Sequence, residues 1–238
     1  MTTDRAPFRL NFWMTVCAVP ALTVLVGLGV WQLQRLEWKE GIIADRTARL
    51  AQPAVPLADV PADGWQTYEM RRVTAEGRFL HDRSLELASK SFGGRPGVHI
   101  VTPLRLADDS GTVLIDRGWA PPRGDRRPGE IGAPPGPVRL TGILRGGGRT
   151  SGWVPDNEPA KGIWFFVDPP AMAAALGLPE ARPYILEIEK PDRDNVYPVG
   201  GRTVTEIRNN HLQYAITWFG LALALIAVYV VYHLKRRT

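Results

Sequence analysis

His211 stands just before an apolar run, in Arg208-Asn-Asn-His211-Leu-Gln-Tyr-Ala-Ile-Thr-Trp218. On a helix, His211, Tyr214, Ala215 and Trp218 fall at i, i+3, i+4 and i+7 and share one stripe. An imidazole above a lipid-facing aromatic stripe suits ligation of the iron of a flat, apolar macrocycle lying half in a bilayer. The same placement serves an interfacial histidine bonded to lipid headgroups, because amphipathic rings favour that depth. Arg208, on the same approach, offers a guanidinium fork to a carboxylate. His233 cannot serve the same iron, since 22 residues at 1.5 Å rise put it about 33 Å away. A second axial ligand would have to come from the soluble part, another protomer or a partner.

Other chemistry finds less support. His81 and His99 read as ordinary strand histidines, with no second ligand at metal spacing. Asp116 and Arg117 are adjacent on a strand, so they point to opposite faces and read as two separate structural contacts. Gly146-Gly-Gly148-Arg-Thr150 lacks the order and the following helix of a phosphate-binding loop and reads as a flexible hairpin turn. No G-x-S-x-G, no H-E-x-x-H and no cysteine nucleophile outside the apolar runs occurs. An enzyme on this chain would need His81, His99 and Asp116 brought within hydrogen-bond reach.

The elements that must position His211 are two apolar stretches, Phe12 to Leu33 and Tyr214 to Tyr232. Each is long enough to cross about 30 Å of hydrocarbon as a helix. The first exceeds a signal-peptide core and lacks an A-x-A cleavage site, so it reads as a retained anchor. Pro20, Gly27 and Gly29 are tolerated there, and the glycines permit close helix contact. The basic residues that follow the second stretch, Lys235, Arg236 and Arg237, predict a cytoplasmic C-terminus and so a cytoplasmic N-terminus. The absence of an Arg-rich transit segment favours a bacterial inner membrane.

The expected organisation is therefore an N-terminal arm at 1–11, a transmembrane helix at 12–33, a periplasmic β-rich domain with a membrane-proximal helix at 34–212, a second transmembrane helix at 213–233 and a basic tail at 234–238. The fold class is a membrane protein of α+β type, with two transmembrane helices flanking a mostly antiparallel β domain. Trp31 and Trp38, seven apart on a helix leaving the membrane, read as interfacial anchors. From Arg71 the period changes to two. Val73 to Phe79, Leu85 to Ala88, His99 to Pro103, Thr112 to Asp116, Val138 to Leu144, Ile163 to Val167 and Tyr184 to Ile188 read as strands of an antiparallel sheet or partly closed barrel. One soluble helix is expected at Pro169 to Leu176, capped by Asp168 and ended by Gly177. Pro121 to Pro137 reads as a mobile surface loop. The only cysteine, Cys17, lies in the first apolar run, so a disulfide frame is excluded. The net charge of +5 falls short of a nucleic-acid footprint, and no nucleic-acid partner is expected.

Several ordered blocks resemble the surfeit-locus assembly factors for cytochrome c oxidase. They are Leu28-Gly-Val-Trp-Gln-Leu-Gln-Arg-Leu-Glu-Trp-Lys39, Gly97-Val-His-Ile-Val-Thr-Pro-Leu104, Val113-Leu-Ile-Asp-Arg-Gly-Trp119, Trp164-Phe-Phe-Val-Asp168 and Asn210-His-Leu-Gln-Tyr-Ala-Ile-Thr-Trp-Phe219. The likeness covers nearly the whole chain, and the short N-terminus resembles the bacterial branch. It implies a non-catalytic chaperone that binds haem A and assists its insertion into oxidase subunit I, with the haem A synthase as a further partner. His211 matches the family's proposed haem-iron ligand and Trp218 its nearby helical aromatic. A cofactor-free scaffold for an oxidase subunit is the alternative of a different class, and a membrane-tethered periplasmic enzyme is a third.

Overall fold

The computed structural model describes residues 11–127, 129–149, 152–189, 197–201 and 209–235. The chain divides into two compact units. One joins the N-terminal segment to Asp45 with the C-terminal segment from Glu206, and the other is Arg46–Thr205. Arg208 and the first ten residues, together with Arg236, Arg237 and Thr150, lie outside the described residues.

In the first unit, α1 (Phe12–Ala51) and α3 (His211–Lys235) are both long and apolar enough to cross a membrane. They are not the buried core of a soluble fold, because their faces carry exposed Val19, Val24, Val30, Ile216, Leu223 and Val228. What they do bury is a narrow seam. On α1 the sheltered positions include 15, 18, 22, 25, 29, 32 and 36, and on α3 they include 211, 215, 218, 222, 225 and 229. Steps alternating between three and four residues keep a stripe facing one partner helix. The pairing is antiparallel: Thr15 Oγ1 lies 2.6 Å from the Tyr229 hydroxyl near one end, and Gln32 meets His211 near the other.

Small residues set the approach of the two helices. A Cβ added at Gly29 would stand 2.6 Å from Phe219 Cε1, whereas Gly27 faces open space. Of the two expected close-contact glycines, then, Gly29 is the one in the seam. Gly29→Leu is predicted to force the pair apart at a cost of about 1–3 kcal/mol, as overpacking does. The check is a lowered thermal midpoint for the helix pair in detergent, with Gly27→Leu unchanged.

α1 is one continuous helix of 40 residues, so it runs without a break through the expected boundary at 33/34. It stops where Pro53 and Pro56 forbid continuation. α3 begins two residues earlier than the apolar run predicts, with Tyr214 N–H donating to the Asn210 carbonyl at 3.2 Å.

The second unit is built on seven strands, β1 (Val55–Pro56), β2 (Arg72–Phe79), β3 (Leu85–Phe92), β4 (Arg95–Leu106), β5 (Thr112–Ala120), β6 (Pro137–Arg145) and β7 (Ala181–Ile188), and one helix, α2 (Pro169–Ala175). The order is β1-β2-β6-β7-β5-β4-β3, and β2 also pairs with β4 through Gly77 to Phe79. That second pairing closes β2, β4, β5, β7 and β6 into a five-stranded barrel of the Greek-key kind seen in OB folds. β2–β4, β4–β5, β6–β7 and β2–β6 are antiparallel. β5–β7 is the parallel pair within the barrel and β1–β2 is parallel at the sheet edge, so the sheet is mostly rather than wholly antiparallel.

Alternation along each strand fills the barrel with Val73, Ala75, Leu104, Val113, Ile115, Leu144, Tyr184 and Leu186. A second cluster outside it joins Leu87, Val101, Leu114, Trp164, Met172 and Ile185. β5 lies between the two clusters and is buried along its whole length, which is why its sequence reads as a run and not as an alternation. The Tyr184 hydroxyl in the barrel core has no partner, and burial pushes its pKa up.

α2 follows expectation. Asp168 Oδ1 accepts from Ala171 N–H at 3.2 Å, two prolines open the first turn, and Gly177 follows the helix at φ 65°. The expected strand at Ile163 to Val167 is not formed. Asn157 takes the place of a neighbouring strand there: its Oδ1 accepts from the Phe165 and Phe166 N–H groups at 2.8 and 3.2 Å, and its Nδ2 donates to the Phe166 carbonyl at 3.1 Å. Apolar residues with β propensity are thus held by one amide side chain. The loop from Pro121 carries a short 3-10 turn at Arg123–Asp125 and a single bridge from Ile131 to Tyr197 among its described residues, and β6 begins at its last residue, Pro137.

Candidate functional site

His211 opens α3, and among the described residues its ring is hydrogen-bonded at one nitrogen. Nδ1 lies 2.6 Å from Gln32 Oε1, an oxygen that accepts, so Nδ1 carries the proton and the lone pair sits on Nε2. The Trp31 ring stands edge-on to the imidazole, with centroids 6.5 Å apart and planes at 89°. Gln32 is buried, His211 is half-buried, and Trp31 and Tyr214 are exposed beside them. Ala215 is buried and Trp218 half-buried on the same stripe as His211, as their spacing predicts. Two residues before His211, the buried Oδ1 of Asn209 has no partner.

His233, at the other end of α3, provides an internal contrast. Its Nδ1 donates to the Tyr229 carbonyl at 2.8 Å, and its Nε2 accepts from Asn11 N–H at 3.2 Å. Both ring nitrogens are engaged, Nδ1 within α3 and Nε2 across to the start of the other helix, and the residue is buried. The two histidines of α3 are therefore chemically distinct, one fastening the pair and the other presenting a lone pair.

One turn beyond Gln32, the Arg35 guanidinium lies 3.8 Å from the Trp38 ring centroid. Trp38 therefore covers a cation, while Trp31 walls the imidazole. Reading both tryptophans as headgroup anchors passed over that division. Gln32 was passed over too, although a signal for it exists. It is the sole amide in the apolar run Phe12 to Leu33, and it is buried at the end of that run.

In the barrel unit, His99 and Asp116 do come together, with Nδ1 2.8 Å from Oδ2 across β4 and β5. The other carboxylate oxygen accepts from Gly118 N–H at 2.8 Å, where the backbone turns at φ 103°. His81 is elsewhere, its Nε2 3.2 Å from the Pro134 carbonyl and its ring against Phe79. The pair sits at a register shift between the two strands and holds that irregularity together. Arg117 points the other way, as adjacency on a strand requires. It donates to the Gly132 carbonyl and lies 4.9 Å from the Phe79 ring centroid. Burial lowers its pKa to about 10, which still leaves it charged at neutral pH. Among the described residues no group of three His, Cys, Asp or Glu side chains is placed to hold a metal ion.

The glycine run is not a phosphate cradle. A Cβ at Gly146 would stand 2.2 Å from Trp65, one at Gly147 would stand 2.6 Å from the Val167 carbonyl, and Gly148 N–H donates to that same carbonyl at 2.7 Å. Bare backbone is needed there for close passage of two chain segments.

A profile of the SURF1 family matches residues 19–223. The chain belongs to the SURF1 family. A SURF1-like protein of Monosiga brevicollis is 34% identical over 92% of this chain and 86% of its own length. Surfeit locus protein 1 of Mus musculus is 33% identical over 83% of this chain and 68% of its own. A SURF1-like protein of Rickettsia felis is 30% identical over 88% and 92%. The SURF1 match spans both long helices and the barrel, so it takes in His211, Trp218, Gln32 and Trp31 together.

Proposed function

We propose that this chain is a non-catalytic assembly factor for a haem-copper cytochrome c oxidase. It spans a bacterial inner membrane twice, with its ends in the cytoplasm and the intervening domain in the periplasm. It binds haem A at the outer end of α3 and assists insertion of that group into subunit I. The observation that carries the reading is the half-buried His211, with Nδ1 tied to Gln32 and Nε2 left with its lone pair at the end of an apolar helix pair. An imidazole so presented is a haem-iron ligand by its donor chemistry. Trp31, exposed beside His211, and Trp218, two turns further along the seam of α3, supply apolar ring surface for a macrocycle. Family membership and the oxidase-factor resemblance point the same way. The barrel remains for docking a partner, since fold alone assigns it no ligand.

Haem A bound there would bring an iron with axial positions. The chain would hold it by one imidazole and the indole rings near it, and a hold of that kind yields to a competing site. The test is complementation of a strain lacking this chain. His211→Ala is expected to insert normally and to leave oxidase subunit I present but deficient in haem. Full oxidase haem content with His211→Ala would favour a cofactor-free scaffold and overturn the haem-carrying role.

A further inference from the structure

Resting on the reading of His211 as an iron ligand, we infer that Gln32 is the positioning residue that fixes which nitrogen of that ring faces the iron. An imidazole in an apolar surrounding has two neutral tautomers, and a metal takes the nitrogen that lacks the proton. With Oε1 of Gln32 2.6 Å from Nδ1, the proton is held on Nδ1. The lone pair is thereby directed to Nε2, and the ring plane is fixed by an amide on the opposite helix. Trp31, edge-on at 89°, limits rotation from the neighbouring position of the same turn.

The placement of Gln32 argues against a bland origin. A primary amide within an apolar run costs free energy that an aliphatic residue would not. Its carbonyl oxygen meets the one ring on α3 whose remaining nitrogen is not engaged across the seam. At the other end of the pair the same residue type is treated differently: the Nδ1 proton of His233 goes to its own helix, at the Tyr229 carbonyl, and Nε2 is capped by the Asn11 N–H. An amide that merely joined the helices could have met any polar group. This one meets the atom that decides ligation, as groups behind metal-bound histidines do.

Because the acceptor is neutral, the ring keeps a moderate donor strength. A carboxylate at this place would draw the Nδ1 proton further, give the ring imidazolate character, strengthen its hold and favour ferric iron. The amide is therefore suited to a carrier that must release what it binds.

The test titrates haem A into the full-length protein in detergent and measures affinity, axial optical signature and midpoint potential. The variants are Gln32→Leu, Gln32→Glu and His211→Ala. Gln32→Leu removes the acceptor, makes the run more apolar and is expected to weaken haem A binding about 10–100-fold with a raised midpoint potential. Gln32→Glu keeps an acceptor at the same reach and is expected to restore binding with a midpoint potential below that of the native protein. A purely structural amide would alter the thermal midpoint of the helix pair without moving the potential in opposite directions. Unchanged affinity and potential in both Gln32 variants, with haem lost in His211→Ala, overturns this inference and leaves the haem site standing. Haem retained with the same signature in His211→Ala overturns both.

Discussion

His211→Gly is expected to lose haem A by more than about 100-fold in affinity, since even the group behind a ligating histidine is worth 10–100-fold. Binding should return when free imidazole is added in the millimolar range, because the glycine leaves a ring-sized gap at the head of α3. That gap lies beside Gln32, whose Oε1 would accept from the added ring as it does from His211. Rescue separates a missing ligand from a damaged helix. His233→Gly should not lose the haem signature, although removing the bonds to Asn11 and Tyr229 should loosen the other end of the pair. A spectrum of the His211→Gly protein that already matches the native one before imidazole is added would refute the prediction.

Trp164→Ala should be the most damaging single truncation in the barrel unit. The indole is fully buried among Leu87, Val101, Leu114, Met172 and Ile185. Its backbone carbonyl accepts from Ala88 N–H at 2.7 Å, so the side chain also anchors the Asn157-clamped segment against β3. Truncating a buried aromatic costs about 3–5 kcal/mol, a large share of the usual 5–15 kcal/mol of a domain. For a unit of this size that lowers the thermal midpoint by roughly 6–20 °C, readable by calorimetry or by circular dichroism. Trp164→Phe should be far milder, because the indole Nε1 has no hydrogen-bond partner to lose. Equal losses from the two changes would show that the indole nitrogen is bonded after all. Below its melting point Trp164→Ala should retain the haem signature, since every residue assigned to the site belongs to the helix pair.

Much of this was legible from pattern. Long uncharged runs read directly as α1 and α3, and alternation at β2 together with β-rich runs bounded by turn residues located six of the seven strands to within a few residues. A capping aspartate, two prolines and a glycine marked both ends of α2. What could not be read depended on partners remote in sequence. Ile163 to Val167 has strand-like composition, yet its backbone groups go to scattered partners: Glu158 and Ala88 take those of Ile163 and Trp164, and the Asn157 amide takes Phe165 N–H and both groups of Phe166. Barrel closure depends on β2 pairing with β4 as well as β6 from Gly77, where a Cβ would stand 2.1 Å from the Arg105 carbonyl. No local periodicity announces that approach.

The site divides in the same way. His211 and Trp218 were visible because helical spacing and an abrupt change of polarity are local signals. Gln32 is 179 residues from His211 and joins it only through antiparallel packing. The lone amide near the end of the first run is the local signal for it, but its partner is not local. His99 and Asp116 show the converse: they pair across β4 and β5 at a strand irregularity, while His81 lies apart from them at the Pro134 carbonyl.

The most direct test of a haem iron held by the imidazole of His211 is the hyperfine coupling of the axial nitrogen. Full-length protein would be grown on ring-15N histidine, loaded with haem A and examined by electron–nuclear double resonance in the ferric state. A strongly coupled 15N in the native protein that vanishes in His211→Ala is the predicted result. The same coupling in both proteins would contradict the assignment of His211 as the ligand.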